Sequence, residues 1–90
     1  MVESKTILIT GVGGLLGSRL ADYIIENHPQ HKVVGIDDLS GGYKENVNPK
    51  VDFWQMDIAN HPIENCFEVH KPDIVYHLAA LIAIPYSYNS

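Results

Sequence analysis

Gly11, Gly14 and Gly17 are spaced by three, with Gly13 as an extra, in the stretch T-G-V-G-G-L-L-G-S at 10–18. An apolar run, Ile7-Leu8-Ile9, leads into them and an apolar helical pattern follows at once. A buried strand passing through glycines into a helix has the parts of a dinucleotide site. Gly11 would allow a sharp turn, Gly14 a close approach of backbone to a pyrophosphate, and Gly17 close packing of helix on strand. The helix start would offer unpaired N–H groups and the positive end of its dipole. The spacing is G-x-x-G-x-x-G and not G-x-G-x-x-G, because Leu16 stands where the latter needs glycine.

Asp37 closes a second apolar run, 26 residues after Gly11. A carboxylate there can accept hydrogen bonds from the adenosine ribose hydroxyls. It would also repel a 2′-phosphate: two unit charges ~4 Å apart at an effective dielectric of ~20 interact by about 4 kcal/mol, roughly a thousandfold preference for NAD over NADP. The alternative for Asp37 is a turn aspartate. Asp38 fits a solvated or turn role as well as a ligand role. Asp57 closes a third run, and either bonds an adenine amino group or caps the helix that follows.

The histidines at 28, 31, 61, 70 and 77 form no metal-ligand spacing with Cys, Asp or Glu. His77, inside a fourth apolar run, reads as a bonded core histidine before a catalytic one. Tyr86 and Tyr88 could face a substrate, with local packing or exposure preferred. Four residues before the lysines at 5, 32, 44, 50 and 71 stand Met1, His28, Ser40, Asn46 and Phe67. No Tyr-x-x-x-Lys pair exists, so no ammonium is placed to lower a phenol pKa for reductase-type catalysis.

The elements that must position these residues are legible in order. Residues 5–10 read as a buried strand, β-branched and without alternation. Over 14–27, Leu16, Leu20, Ala21, Ile24 and Ile25 recur at helical spacing, opposite Arg19, Asp22 and Glu26. His28-Pro29 ends that helix. A second strand spans 32–36, completing a βαβ unit, and 39–49 is a loop with one weak helical turn. A third strand spans 51–56. Asn60 or His61 then caps a helix with Pro62 in its first turn and Ile63, Cys66, Phe67 and His70 on one face. Lys71-Pro72 stops it, and a fourth strand covers 74–79. The order predicts an α/β fold: a partial doubly wound parallel sheet of four strands in the order 3-2-1-4.

Ninety residues suit one domain at most, and a small one. Its hydrophobic content of 46% and charged content of 19% are those of a globular chain. A net charge of −5 argues against a broad nucleic-acid surface. The single cysteine, Cys66, reads as a small packing residue and gives no internal disulfide. The start lacks a signal-peptide pattern, and the longest apolar run, 78–84, is too short to span a bilayer. The expected compartment is reducing and aqueous, the cytoplasm by default, with no membrane partner.

Four ordered motifs carry a family resemblance: T-G-V-G-G-L-L-G-S at 10–18, I-D-D-L-S at 36–40, M-D-I at 56–58 and H-L-A-A at 77–80. Together they resemble the N-terminal half of the extended short-chain dehydrogenases/reductases, in the branch of the NAD-dependent epimerases and dehydratases of nucleotide sugars. The resemblance covers about 5–90. It implies a Rossmann-type sheet with NAD as cofactor. It places Gly11, Gly14 and Gly17 on the pyrophosphate loop, with Leu15 and Leu16 as the apolar pair beside them. It places Asp37 on the adenosine ribose, Asp38, Leu39 and Ser40 beside the adenosine, and Asp57 and Ile58 on adenine. Leu78, Ala79 and Ala80 match the segment under the cofactor, near the nicotinamide ribose. Ile82 stands where some epimerases have a Lys, which weakens the 4-epimerase assignment specifically.

The resemblance further implies that the catalytic Ser/Thr, the Tyr-x-x-x-Lys pair and the substrate domain lie later than residue 90. Residues 1–90 would then be the N-terminal half of an NAD-binding domain whose full enzyme takes a nucleotide-sugar substrate. The alternative is a standalone, non-catalytic module that binds NAD or adenosine, or pairs with itself or a partner through an open sheet edge.

Overall fold

The computed structural model describes residues 3–57 and 64–78. The expected positions Ile58, Asn60, His61, Pro62, Ile63, Ala79, Ala80, Ile82, Tyr86 and Tyr88 lie outside them. Four parallel strands, β1 (Thr6–Thr10), β2 (Lys32–Asp37), β3 (Asp52–Gln55) and β4 (Ile74–His77), stand in the order β3-β2-β1-β4, as the sequence predicts. Register aligns Thr10 with both Ile36 and His77, and Asp37 with Gln55. The carboxyl ends of all four strands therefore lie along one edge.

Helix α1 (Leu15–Asn27) and helix α2 (Glu64–His70) cover opposite faces. The alternation of strand side chains sorts the core accordingly. Ile7, Ile9 and Val33 pack with Val12, Ala21 and Ile24 of the α1 side. Leu8, Val34 and Ile36 pack with Cys66 of α2, flanked by Trp54 and Phe67. Both layers draw on β1 and β2, which explains why those runs show no polar alternation. Gly35 is required in β2: a Cβ there would stand 2.6 Å from Val12 Cγ1 and 2.8 Å from Val51 Cγ1.

Helix α1 ends as its sequence demands. The His28 N–H donates to Ile24 O at 2.7 Å, and Pro29 follows. Lys71, with φ 48°, closes α2 through its N–H on Phe67 O at 2.7 Å. Leu16 departs from the periodic expectation. It is 68% exposed, and α1 buries Gly17, Ser18, Ala21 and Ile24 instead. The reason is the tight entry turn: with a glycine packed against the strand end, the first apolar residue of the pattern falls outside the contact. The expected helical turn in 39–49 is a single 3₁₀ turn, Lys44–Asn46.

Candidate functional site

The site is built on the carboxyl edge of the sheet. Gly11 leaves β1 with φ 76°, a left-handed conformation that glycine adopts without steric cost. Its N–H donates to Ile36 O at 2.7 Å, joining the turn to β2. The Gly14 N–H returns to Gly11 O at 3.1 Å. Gly17 sits one helical turn on, where a Cβ would be only 2.2 Å from Gly11 O. These are the turn and close-packing conformations expected of Gly11 and Gly17. At Gly14 a Cβ would meet only Gly11 O, at 3.4 Å, so that side of the turn is open.

Gly14 is the N-cap of α1 and, having no side chain, makes no capping bond. The first turn of α1 holds no acidic residue. The first N–H groups of the helix have no intrahelical acceptor, so the entry is an anion-accepting end by the alignment of its peptide dipoles. Leu15, 69% exposed, and Leu16 flank it as apolar surface.

Asp37 lies at the end of β2 and faces the turn. Its Oδ2 accepts the Gly13 N–H at 2.7 Å and its Oδ1 accepts the Leu39 N–H at 2.8 Å. Each carboxylate oxygen has two acceptor sites, so both bonds leave capacity for hydroxyl donors. Leu39 adopts φ 65°, rare for a branched side chain, and its bond to Asp37 holds it there. A Cβ at Gly13 would stand 2.9 Å from Asp37 Oδ2 and 3.1 Å from Leu39 Cδ2, so any other residue there would push the carboxylate from its place.

Asp38 makes a turn with Ser40. Its Oδ1 accepts the Ser40 N–H at 2.9 Å and the Ser40 hydroxyl at 2.7 Å. Those bonds hold its exposed carboxyl below the usual carboxylate range. Asp57 follows β3 on the same edge as Asp37, and the intervening Met56 N–H donates to Asp37 O at 3.1 Å. Leu78 continues β4 with its N–H on Thr10 O at 3.1 Å, and its side chain packs on the α1-side core. His77 Nδ1 lies 2.8 Å from the hydroxyl of buried Thr10, the bonded histidine the sequence favours. Cys66 is buried, which pushes its thiol up, and the Asp52 carboxylate adds to the effect.

Four residues of the edge escape a motif search. Gly13 reads in the sequence only as an extra beside the three spaced glycines, but it supplies the N–H that meets Asp37. Gly42, Tyr43 and Asn46, in the loop between β2 and β3, pack on or bond to Gly13. The glycine pair Gly41-Gly42 was the one signal for them. Among the described residues no group of three or more His, Cys, Asp or Glu could hold a metal, and no helix is long and apolar enough to cross a membrane. An open groove lined by residues including Ile25, Lys32, Lys50 and Asp52 lies at the amino ends of β2 and β3, away from this edge.

The family model for the NAD dependent epimerase/dehydratase family matches residues 7–90. The chain is 37% identical over 82 residues to a UDP-glucose 4-epimerase of Mycolicibacterium smegmatis, covering 86% of this chain and 26% of that protein. It is 43% identical over 81 residues to a dTDP-glucose 4,6-dehydratase of Haemophilus influenzae, covering 82% and 24%. Among solved structures it is similar to the Bordetella bronchiseptica enzyme WbmH in complex with NAD+, with a TM-score of 0.77, 34% identity, and coverage of 92% of this chain and 28% of that one. The chain thus spans about a quarter of the length of these relatives. A match over nearly every residue, on a sheet whose order and glycine turn agree with it, shows that the chain belongs to the NAD-dependent epimerase/dehydratase family.

Proposed function

We propose that this chain is the adenosine- and pyrophosphate-binding part of an NAD-dependent nucleotide-sugar epimerase or dehydratase. The observation that carries the reading is the Asp37 carboxylate bonded to Gly13 N–H beside the uncapped start of α1. An anion-accepting helix end and a hydroxyl-accepting carboxylate on one edge match a pyrophosphate next to a ribose. The donor set fits the cofactor. The N–H groups of the first residues of α1, which follow a turn whose own N–H groups are bonded within the protein, hold the pyrophosphate, and Leu15 and Leu16 cover it. Asp37 accepts from the ribose hydroxyls, with Leu39 and Ser40 beside the adenosine. Asp38 shapes that wall through the bonds of its Oδ1 to Ser40. Asp57 holds adenine and Leu78 leads toward the nicotinamide ribose, and the family resemblance assigns Ile58 to adenine and Ala79 and Ala80 to the segment under the cofactor.

Bound NAD supplies reversible hydride exchange with a sugar carbon, and the protein supplies position. The described residues bind and orient the adenosine half and keep a 2′-phosphate out by charge. Proton transfer at a sugar hydroxyl would need a Tyr-x-x-x-Lys pair, which these ninety residues lack.

The test is calorimetric titration of the purified protein with NAD and NADP. NAD binding with NADP weaker by two to three orders of magnitude is expected, from about 4 kcal/mol of charge repulsion at most. Asp37→Ala should weaken NAD and narrow that gap. Equal affinity for both cofactors in the unmodified protein would overturn the role of Asp37, and no binding of either would overturn the cofactor reading.

A further inference from the structure

The loop between β2 and β3 folds back on the glycine turn and, together with Asp37 at the end of β2, holds one residue at both of its polar groups. Gly13 O accepts the Tyr43 N–H at 3.1 Å and the Asn46 Nδ2 at 3.2 Å. Gly13 N–H donates to Asp37 Oδ2 at 2.7 Å. Gly42 lies flat on the same peptide, where a Cβ would be 2.5 Å from Gly13 C and O and 2.9 Å from Gly14 N. The peptide unit joining Gly13 to Gly14 is therefore pinned at its oxygen by Tyr43 and Asn46 and at its nitrogen by Gly11 O, 3.1 Å away.

Asn46 is itself anchored. It ends the 3₁₀ turn Lys44–Asn46, its N–H donates to Tyr43 O at 3.0 Å, and the next residue, Val47, is buried in the α1-side core. The side-chain amide thus reaches the glycine turn from a fixed base. Two adjacent glycines have the widest backbone freedom of any pair, and ordering them on binding would cost affinity. A donor that fixes their shared peptide removes that cost beforehand.

We propose that Asn46 is a positioning residue for the dinucleotide site. It acts through the Gly13–Gly14 peptide, setting the direction of the N–H groups that open α1 without itself touching the cofactor. The inference rests on the cofactor reading above and deepens it.

The experiment compares the unmodified protein with Asn46→Ala and with Asn46→Asp, which is nearly isosteric but has no donor. Each is titrated with NAD, and each is followed by amide hydrogen exchange without NAD. Both variants should bind NAD about tenfold more weakly. Gly13 and Gly14 amides should exchange faster in them, while amides of β1 and β2 keep their protection. Unchanged NAD affinity in both variants would overturn the proposal. So would unchanged Gly13 and Gly14 exchange, a result that stands whether or not NAD binds. Loss of protection throughout β1 and β2 in both variants would also overturn it, because Asn46 would then support the whole fold. If the unmodified protein binds no NAD while the glycine exchange responds as expected, the cofactor reading fails and the local hold of Asn46 on the turn survives.

Discussion

At the scale of the residue, the glycine turn is decided by tenths of an ångström. Gly17→Ala would put a Cβ 2.2 Å from a backbone oxygen, which cannot swing aside as a side chain would. The helix or the turn must move, and overpacking of this kind costs about 1–3 kcal/mol. A thermal melt should fall by roughly 4–8 °C per kcal/mol in a domain of this size, with NAD affinity lost more steeply than stability. Two titrations add pH signatures. The Asp38 carboxyl is depressed by its bonds from Ser40. Its contribution is full above the unfolded carboxyl value near pH 4 and disappears as pH falls through the folded value. Asp38→Asn should therefore flatten the stability profile from denaturant melts only below about pH 4. The buried Cys66 thiol is shifted upward instead. Its contribution is complete below the unfolded thiol value near pH 8.5 and declines as pH rises through the folded value. Alkylation of Cys66 at about pH 8 should accordingly be slow and accelerate with added urea.

At the scale of the element, β2 carries two demands at once. It must bury a side chain on each face, and it must let Val12 and Val51 meet over Gly35. Gly35→Ala would place a methyl against both valines, at 2.6 and 2.8 Å. A loss of about 1–3 kcal/mol is expected by the same overpacking argument, read as a lower denaturant midpoint at unchanged slope. Because Val12 lies within the glycine turn, the same variant should also weaken NAD. Helix α1 shows the converse economy. Its start has Gly14 at the cap and no capping side chain, which leaves it only about a few tenths of a kcal/mol short of a Ser, Thr, Asn or Asp cap. On the proposed reading a bound pyrophosphate supplies the missing acceptor.

At the scale of the whole molecule, burial is concentrated in the middle of the sheet. The last four residues of β1 and the middle four of β2 are buried, whereas none of β3 or β4 is. Amide exchange should rank accordingly, with β1 and β2 slowest and β3 and β4 fastest, since local opening follows the density of apolar contacts. A ligand that binds only the folded form adds stability by mass action, about 2.7 kcal/mol at one hundred times its dissociation constant. NAD at that level should raise the melting temperature by roughly 10 °C or more, and NADP at equal concentration by far less. Equal shifts would contradict the charge argument built on Asp37.

The sequence by itself determined the elements, their order in the sheet and the glycine turn. Each is a local property: hydrophobic period, breakers such as His28-Pro29, and a β-α-β succession that the chain can connect in few ways. Gly11 was legible because only glycine turns so sharply there, and Asp37 because it ends a strand on the edge the glycines begin. Only the tertiary structure decided that Leu16 stands exposed, that Asp38 Oδ1 holds Ser40, and that Gly13 is the glycine Asp37 grips. It alone brought Asn46 and Gly42 onto that same residue. Those contacts join positions 24 and 33 residues apart. Their approach depends on the register of β1 against β2 and on the path of the returning loop. No periodicity within a strand or helix encodes either, so they become visible only when the sheet has been assembled.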